Sequence, residues 1–317
     1  MLEKTHIAFA PVVQLDDWIS LEEPTPGSRD KLTVINPANG NYYIFKLPKR
    51  QREHQIWSEL IASYIAGDLL GWDVQTVEIA MLNGRIGNLL GYIYRPGTLE
   101  GFEDNFIEGW QYCIEVDPNY DVVKGTRHTL KLLRIVYDRV LGNAVERRDF
   151  YDFWSRALAL DTLISNTDRH AENWAVVESP SGEARMSSLY DNGNSLGCGI
   201  ERAGLAKAFD ENDCLSKSHL DKQRKNGRHH LRLVEGDKRG GCFEEVCIEF
   251  LKMYPEGRYW FENAANVDVG RVGRLMDDIV SLNCHDDPYR LSSRRCRHVI
   301  AMLNIGVKRI KNVLSMV

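Results

Sequence analysis

The chain has 317 residues and a formal net charge of -5, with 43% hydrophobic and 27% charged residues. That length exceeds the usual single domain, the apolar content excludes a wholly disordered chain, and the net charge argues against a general nucleic-acid-binding surface. Seven scattered cysteines include no CxxC pair and no compact Cys/His set at zinc spacing, a usage that fits free thiols in a reducing compartment. The N-terminal apolar run is too short for a secretory signal, and no stretch reaches the ~18 apolar residues of a membrane span. The expectation is a soluble, cytoplasmic chain with no integral-membrane part.

In chain order, residues 32–47 (LTVINPANGNYYIFKL) predict a β-hairpin, two β-rich runs around Pro37-Ala38-Asn39-Gly40. Residues 53–70 place Ile56, Leu60, Ile61, Tyr64, Ile65 and Leu69 at three- and four-residue spacing, the pattern of an amphipathic helix. VQTVEIAML and GNLLGYIY, separated by Asn83-Gly84, read as two further strands. After Gly97 the period turns helical, in TLKLLRIVYDRVL and DFYDFWSRALALDTLIS. The segment MSSLYD (186–191) reads as a short strand, residues 201–241 as a long surface loop, and residues 243–317 as helices again. Residues 294–311 carry six Lys/Arg and no acid, which predicts a packing helix with a basic outer face. The fold class is α+β and two-lobed, a β-rich N-terminal lobe over 1–97 and a helix-rich C-terminal lobe over 98–317.

The chemistry is concentrated in two short segments. Asn166-Thr167-Asp168-Arg169-His170-Ala171-Glu172-Asn173 follows an apolar helix and precedes the apolar run Trp174-Ala175-Val176-Val177. Asp168 and Asn173 have the spacing of the catalytic-loop Asp and Asn of protein kinases. Eighteen residues on, Tyr190-Asp191-Asn192-Gly193 resembles the D-F-G turn. Transfer from ATP needs a carboxylate to orient the acceptor hydroxyl, oxygen ligands for Mg²⁺, and a cation on the phosphates. Asp168, the pair Asn173 and Asp191, and Lys46 at the end of the run Tyr42-Tyr43-Ile44-Phe45 fill those places. Either segment alone fits an ordinary polar turn; their order, between a helix and a strand, is what separates them from one.

Glu59 lies thirteen residues after Lys46 in the predicted helix and is a candidate partner for it, with Glu53 as competitor. Upstream, the turn holding Gly27, Ser28, Arg29 and Lys31 is placed to present backbone N–H groups to phosphate, although it lacks GxGxxG. Residues 90–97, around Tyr92, Ile93 and Tyr94, stand where the lobes join and are the candidate adenine contact.

In Phe45-Lys46-Leu47-Pro48, Ser58-Glu59-Leu60-Ile61-Ala62, the 166–173 loop and Tyr190-Asp191-Asn192-Gly193, the chain resembles the HipA-like kinases in their compact single-chain form. The resemblance implies a protein-kinase-like fold and Ser/Thr phosphorylation with ATP and Mg²⁺, and a role as toxin or bacterial effector, the latter delivered into a host cytosol. It implies that Lys46 contacts ATP phosphates, Asp168 is the catalytic base, and Asn173 and Asp191 hold Mg²⁺. It also implies autophosphorylation at Ser28, in a turn that departs from the family by containing Arg29 and Asp30. The D-R-H-x-x-N run also looks like the phosphoinositide-kinase loop, so a lipid headgroup stands as an alternative acceptor, and a catalytically silent kinase-fold binding module is the third reading. Between Leu215 and Arg239 eight Lys/Arg face three acids; that segment fits an acidic protein partner, a phosphorylated headgroup, or a solvated loop.

Overall fold

The computed structural model describes residues 12–21, 31–49, 52–94, 104–200, 202–281 and 289–317. Its N-terminal part is a mixed sheet of β1 (Val13–Gln14), β2 (Ile19–Leu21), β3 (Lys31–Ile35), β4 (Tyr42–Lys46), β5 (Val77–Leu82) and β6 (Arg85–Gly91), in the order β1-β5-β6-β4-β3-β2. β1 runs parallel to β5 and every other pairing is antiparallel. The β3–β4 hairpin closes as its turn residues demand. The Asn36 side chain accepts from Ala38 N at 2.9 Å, Asn36 O accepts from Gly40 N at 2.8 Å, and Gly40 takes a φ of 71°, which glycine adopts without steric cost.

Alternation along the strands sorts their side chains onto two faces. One face packs Leu15, Val34, Phe45, Leu47, Ala80 and Leu89 together. The other presents Ile79 and Ile86 to α1 (Gln55–Ser63). That helix buries every residue from Gln55 to Ala62, because the C-terminal region covers its far side: Trp57 Nε1 donates to Tyr289 O at 2.7 Å and Ser58 Oγ to Ser195 O at 3.1 Å. A helix apolar on most of its circumference is stable only when enclosed in this way.

The second sheet, β7 (Asn105–Glu108), β8 (Ala175–Glu178) and β9 (Ala184–Met186), is antiparallel in that order. Helices α2 (Gly109–Val116), α3 (Leu130–Arg139), α4 (Arg147–Ile164), α5 (Arg202–Ala206), α6 (Lys217–Asn226), α7 (Phe243–Met253), α8 (Arg258–Ala265), α9 (Val269–Ser281) and α10 (Ser293–Met316) complete the described chain. α4 is the axis of this region, with α7, α8 and α10 against it. Its Phe150, Phe153 and Trp154 are fully buried, each worth about 1.5–3 kcal/mol of apolar burial. α10 crosses it backbone to backbone: a Cβ at Gly306 would stand 1.9 Å from Leu163 O.

The hairpin, the helix after it and the helical periods of the second half stand where the sequence places them, with four corrections. The helix expected over 53–70 leaves α geometry at Tyr64 and finishes as a π-turn, Tyr64–Leu69. The strand expected over 186–191 ends at Met186, since the chain must turn there to deliver Tyr190 and Asp191 to the cleft. Residues 201–241 are not simply a surface loop. They contain α5 and α6, and bury Leu205, Phe209, His229, Leu231 and Arg232. Finally, α10 is basic on its inner side too, because Arg295 and Arg309 are buried and donate to backbone oxygens of neighbouring segments. The boundary expected at 97/98 lies outside the described residues, as does the turn at Gly27, Ser28 and Arg29.

Candidate active site

Lys46 ends β4 with its side chain 4% exposed, and its ammonium lies 2.7 Å from Asp191 Oδ1 and 3.7 Å from Glu59 Oε2. Burial would strand that charge without partners; the two carboxylates supply them. Glu59 is 2% exposed, and its Oε1 accepts the backbone N–H of Asn192 at 2.6 Å, so α1 is tied to the turn holding Asp191. Gly193 permits the approach, since a Cβ there would be 2.5 Å from Glu59 Oε2. Asp191 takes a φ of 51°, a left-handed conformation that aspartate tolerates better than most residues and that recurs at functional sites. Lys31 is the cross-strand partner of Lys46 and shares its side of the sheet.

Of the two glutamates, Glu59 holds the position beside Lys46, whereas Glu53 precedes α1 in a turn. Glu59→Gln keeps a carbonyl oxygen for Asn192 N but removes the anion beside Lys46, so a roughly tenfold loss of turnover is expected. Glu53→Gln should stay within twofold of wild type, and parallel turnover assays of the two variants check the ranking.

The loop at 166–173 starts where α4 stops. Ser165 caps the helix in the left-handed region, at a φ of 54°, and its Oγ accepts from Arg309 Nη1 at 2.9 Å. Asn166 Oδ1 then accepts from Asp168 N at 3.1 Å, and Asn173 Nδ2 donates to Asp168 O at 2.7 Å, which closes the loop on its own backbone. The Asp168 carboxylate is left 34% exposed, the orientation an acceptor-facing base requires. His170 lies 4.0 Å from it.

Two residues central to this arrangement went unread in the sequence. Arg169, wholly buried, donates to Asp161, to Asn173 O at 3.0 Å, to Tyr190 O at 2.9 Å and to Asn192 Oδ1 at 2.6 Å. Asp161, also fully buried, receives Asn166 Nδ2 at 2.8 Å, Arg169 Nη2 at 2.8 Å and His229 Nε2 at 3.0 Å. Burial alone would raise the Asp161 pKa, but the charge of Arg169 and the hydrogen bond from His229 outweigh it and hold the carboxyl below its ordinary value. The signal was present: Asp161 is an acid inside the apolar run of α4, where an unpaired charge is not tolerated.

Tyr92, Ile93 and Tyr94 follow β6 and, with Asp104, Val177, Ala184 and Arg185, line a cavity of about 530 Å³. Tyr92 contacts Tyr94 edge to face, Tyr94 stacks on Phe106, and Phe106 leans on Tyr190, so an aromatic series runs from this segment to the residue before Asp191. The structure therefore brings Lys46, Glu59 and Asp191 into direct contact, and joins them to the Asp168–Asn173 loop through Arg169. Among the described residues no three His, Cys, Asp or Glu side chains converge as a metal cage. No helix of those residues is long and apolar enough to cross a membrane.

No family model matches the chain. A Sinorhizobium fredii protein named "Putative kinase Y4dM" is 27% identical over 168 residues, covering 50% of this chain; the chain spans 39% of that relative's length. The crystal structure of the Helicobacter pylori proinflammatory kinase CtkA superposes with a TM-score of 0.71 at 15% identity, covering 96% of this chain and 98% of that one. Shewanella oneidensis HipA, from a toxin–antitoxin complex with HipB and operator DNA, gives 0.51 at 13% identity, over 92% of this chain and 65% of that one. At these identities the likeness is one of architecture: the chain has the kinase-like fold that CtkA and HipA share.

Proposed function

We propose that the chain is an ATP- and Mg²⁺-dependent kinase that phosphorylates protein serine or threonine, itself included. One observation carries the reading: a buried lysine, ion-paired to Glu59 and Asp191, is linked through a single arginine to a partly exposed aspartate on an otherwise fixed loop. In this reading Lys46 holds the phosphates, Glu59 aims Lys46, and Asp168 accepts the proton of the acceptor hydroxyl. The residues suit Mg²⁺. Asn173 commits its Nδ2 to Asp168 O and keeps Oδ1 as an acceptor, and Asp191 adds a carboxylate. Two protein oxygens completed by phosphate and water match that ion's habits. When bound, Mg²⁺ would offset the charge that develops on the transferring phosphoryl group.

A catalytically silent module is disfavoured by the retention of all four polar groups in these contacts. The names of the two solved neighbours, a proinflammatory kinase and a toxin–antitoxin HipA, support an effector or toxin role.

Asp191→Asn is expected to remove about one order of magnitude of the ATP affinity gained on adding Mg²⁺. Calorimetry with and without Mg²⁺ measures that gain, and an unchanged value rejects Asp191 as a ligand. The acceptor is tested with γ-labelled ATP, a protein lysate and phosphoinositide vesicles, followed by phosphoamino-acid analysis. Label on serine or threonine is expected, and label confined to lipid would move the reading to a lipid kinase.

A further inference from the structure

A guanidinium has five N–H donors in a rigid fork, and every one of those of Arg169 is spent. Nε donates to Asp161 Oδ2 at 3.1 Å and Nη2 to Asp161 Oδ1 at 2.8 Å, a bidentate pair with a carboxylate that is itself fully buried. The second Nη2 bond goes to Asn192 Oδ1, and the two from Nη1 go to Asn173 O and Tyr190 O. These acceptors belong to two different segments, the 166–173 loop and the 190–193 turn. Asp161 adds a third through His229, whose Nδ1 accepts from Leu231 N at 3.0 Å and whose Nε2 therefore carries the proton given to Asp161. Gly240 seals this segment, for a Cβ there would lie 1.7 Å from His229 O.

We infer that Arg169, oriented by Asp161, is a positioning residue that fixes Asp168 and Asp191 relative to one another. With no donor left over, Arg169 cannot also receive a phosphate, so turnover needs no phosphorylation read by this arginine. In kinases switched by activation-loop phosphorylation, new arginine–phosphate pairs order the loop; here backbone carbonyls, Asn192 and Asp161 already occupy the arginine. The inference rests on the kinase reading for its turnover readout, and on backbone exchange for a readout independent of it.

Arg169→Lys retains the buried charge opposite Asp161 but has a point donor in place of the planar fork, so the bonds to Asn173 O, Tyr190 O and Asn192 cannot all form. Turnover per folded molecule should fall on the order of 100-fold, the scale of a misplaced catalytic group, with the ATP KM changing less than kcat. Amide hydrogen exchange should quicken at residues 168–173 and 190–193 together and stay as in wild type in α7 and α8. Asn192→Ala, which removes one arm only, should quicken 190–193 alone, and gives the same test if the lysine variant folds poorly. Unchanged exchange in both segments would overturn the proposal. Absence of any turnover in wild type would instead count against the kinase reading, and the exchange data would still decide the role of Arg169.

Discussion

Asp168→Ala protein is expected to bind Mg²⁺-ATP about as wild type does and to turn over 10²–10⁴-fold more slowly, the range for loss of a general base. The substitution is clean because the loop is held by parts of residue 168 that alanine keeps. Asn166 Oδ1 receives its backbone N–H and Asn173 Nδ2 donates to its carbonyl. The carboxylate is partly solvent-exposed, and Lys46, Glu59 and Asp191 keep their contacts with one another. Calorimetry for ATP alongside a steady-state rate separates the two effects. A fully active variant would show that Asp168 is not the acceptor-facing base.

Lys46→Met should behave differently, losing both ATP affinity and at least 10²–10³-fold in rate, the magnitude seen when one preorganised electrostatic contact is removed. Methionine fills the space of the lysine stem, but Asp191 and the 2%-exposed Glu59 then face each other without the cation between them. Removing one partner from a buried ion pair is costly on its own, about 3–5 kcal/mol where burial is complete, so a lower Tm is expected as well. Lys46→Arg would retain the charge and separate the two contributions. A Lys46→Met variant with wild-type ATP affinity and rate would remove the phosphate-holding role from this lysine.

The elements legible in the sequence are those that an amphipathic period or a turn residue marks locally. The β3–β4 hairpin announced itself through Pro37 to Gly40, and α4 through its apolar period. The motif residues were legible because chemistry fixes their type and spacing, as for Asp168 with Asn173. What stayed hidden depends on partners far away in the chain. His229, Arg295 and Arg309 read as members of basic, solvated stretches, yet each is buried against an acid, carbonyls or a hydroxyl from elsewhere: Asp161, Gly197 O and Ser165 respectively. Periodicity reports which face is apolar and says nothing about a polar side chain whose burial is paid for by a distant acceptor. The sequence favoured Glu59 but left Glu53 open as its competitor for a related reason, since α1 is enclosed on most of its circumference and has no solvent face to set its register.

The central claim, that these residues form a phosphoryl-transfer site, is tested most directly by incubating purified wild-type and Asp168→Ala chains with γ-labelled ATP and Mg²⁺, alone and with protein lysate. Wild type should place label on serine or threonine of itself or of lysate protein, only when Mg²⁺ is present, while Asp168→Ala places almost none despite binding ATP. Equal labelling by the two chains, or a wild type that binds no ATP and transfers no label to any acceptor, would contradict the account.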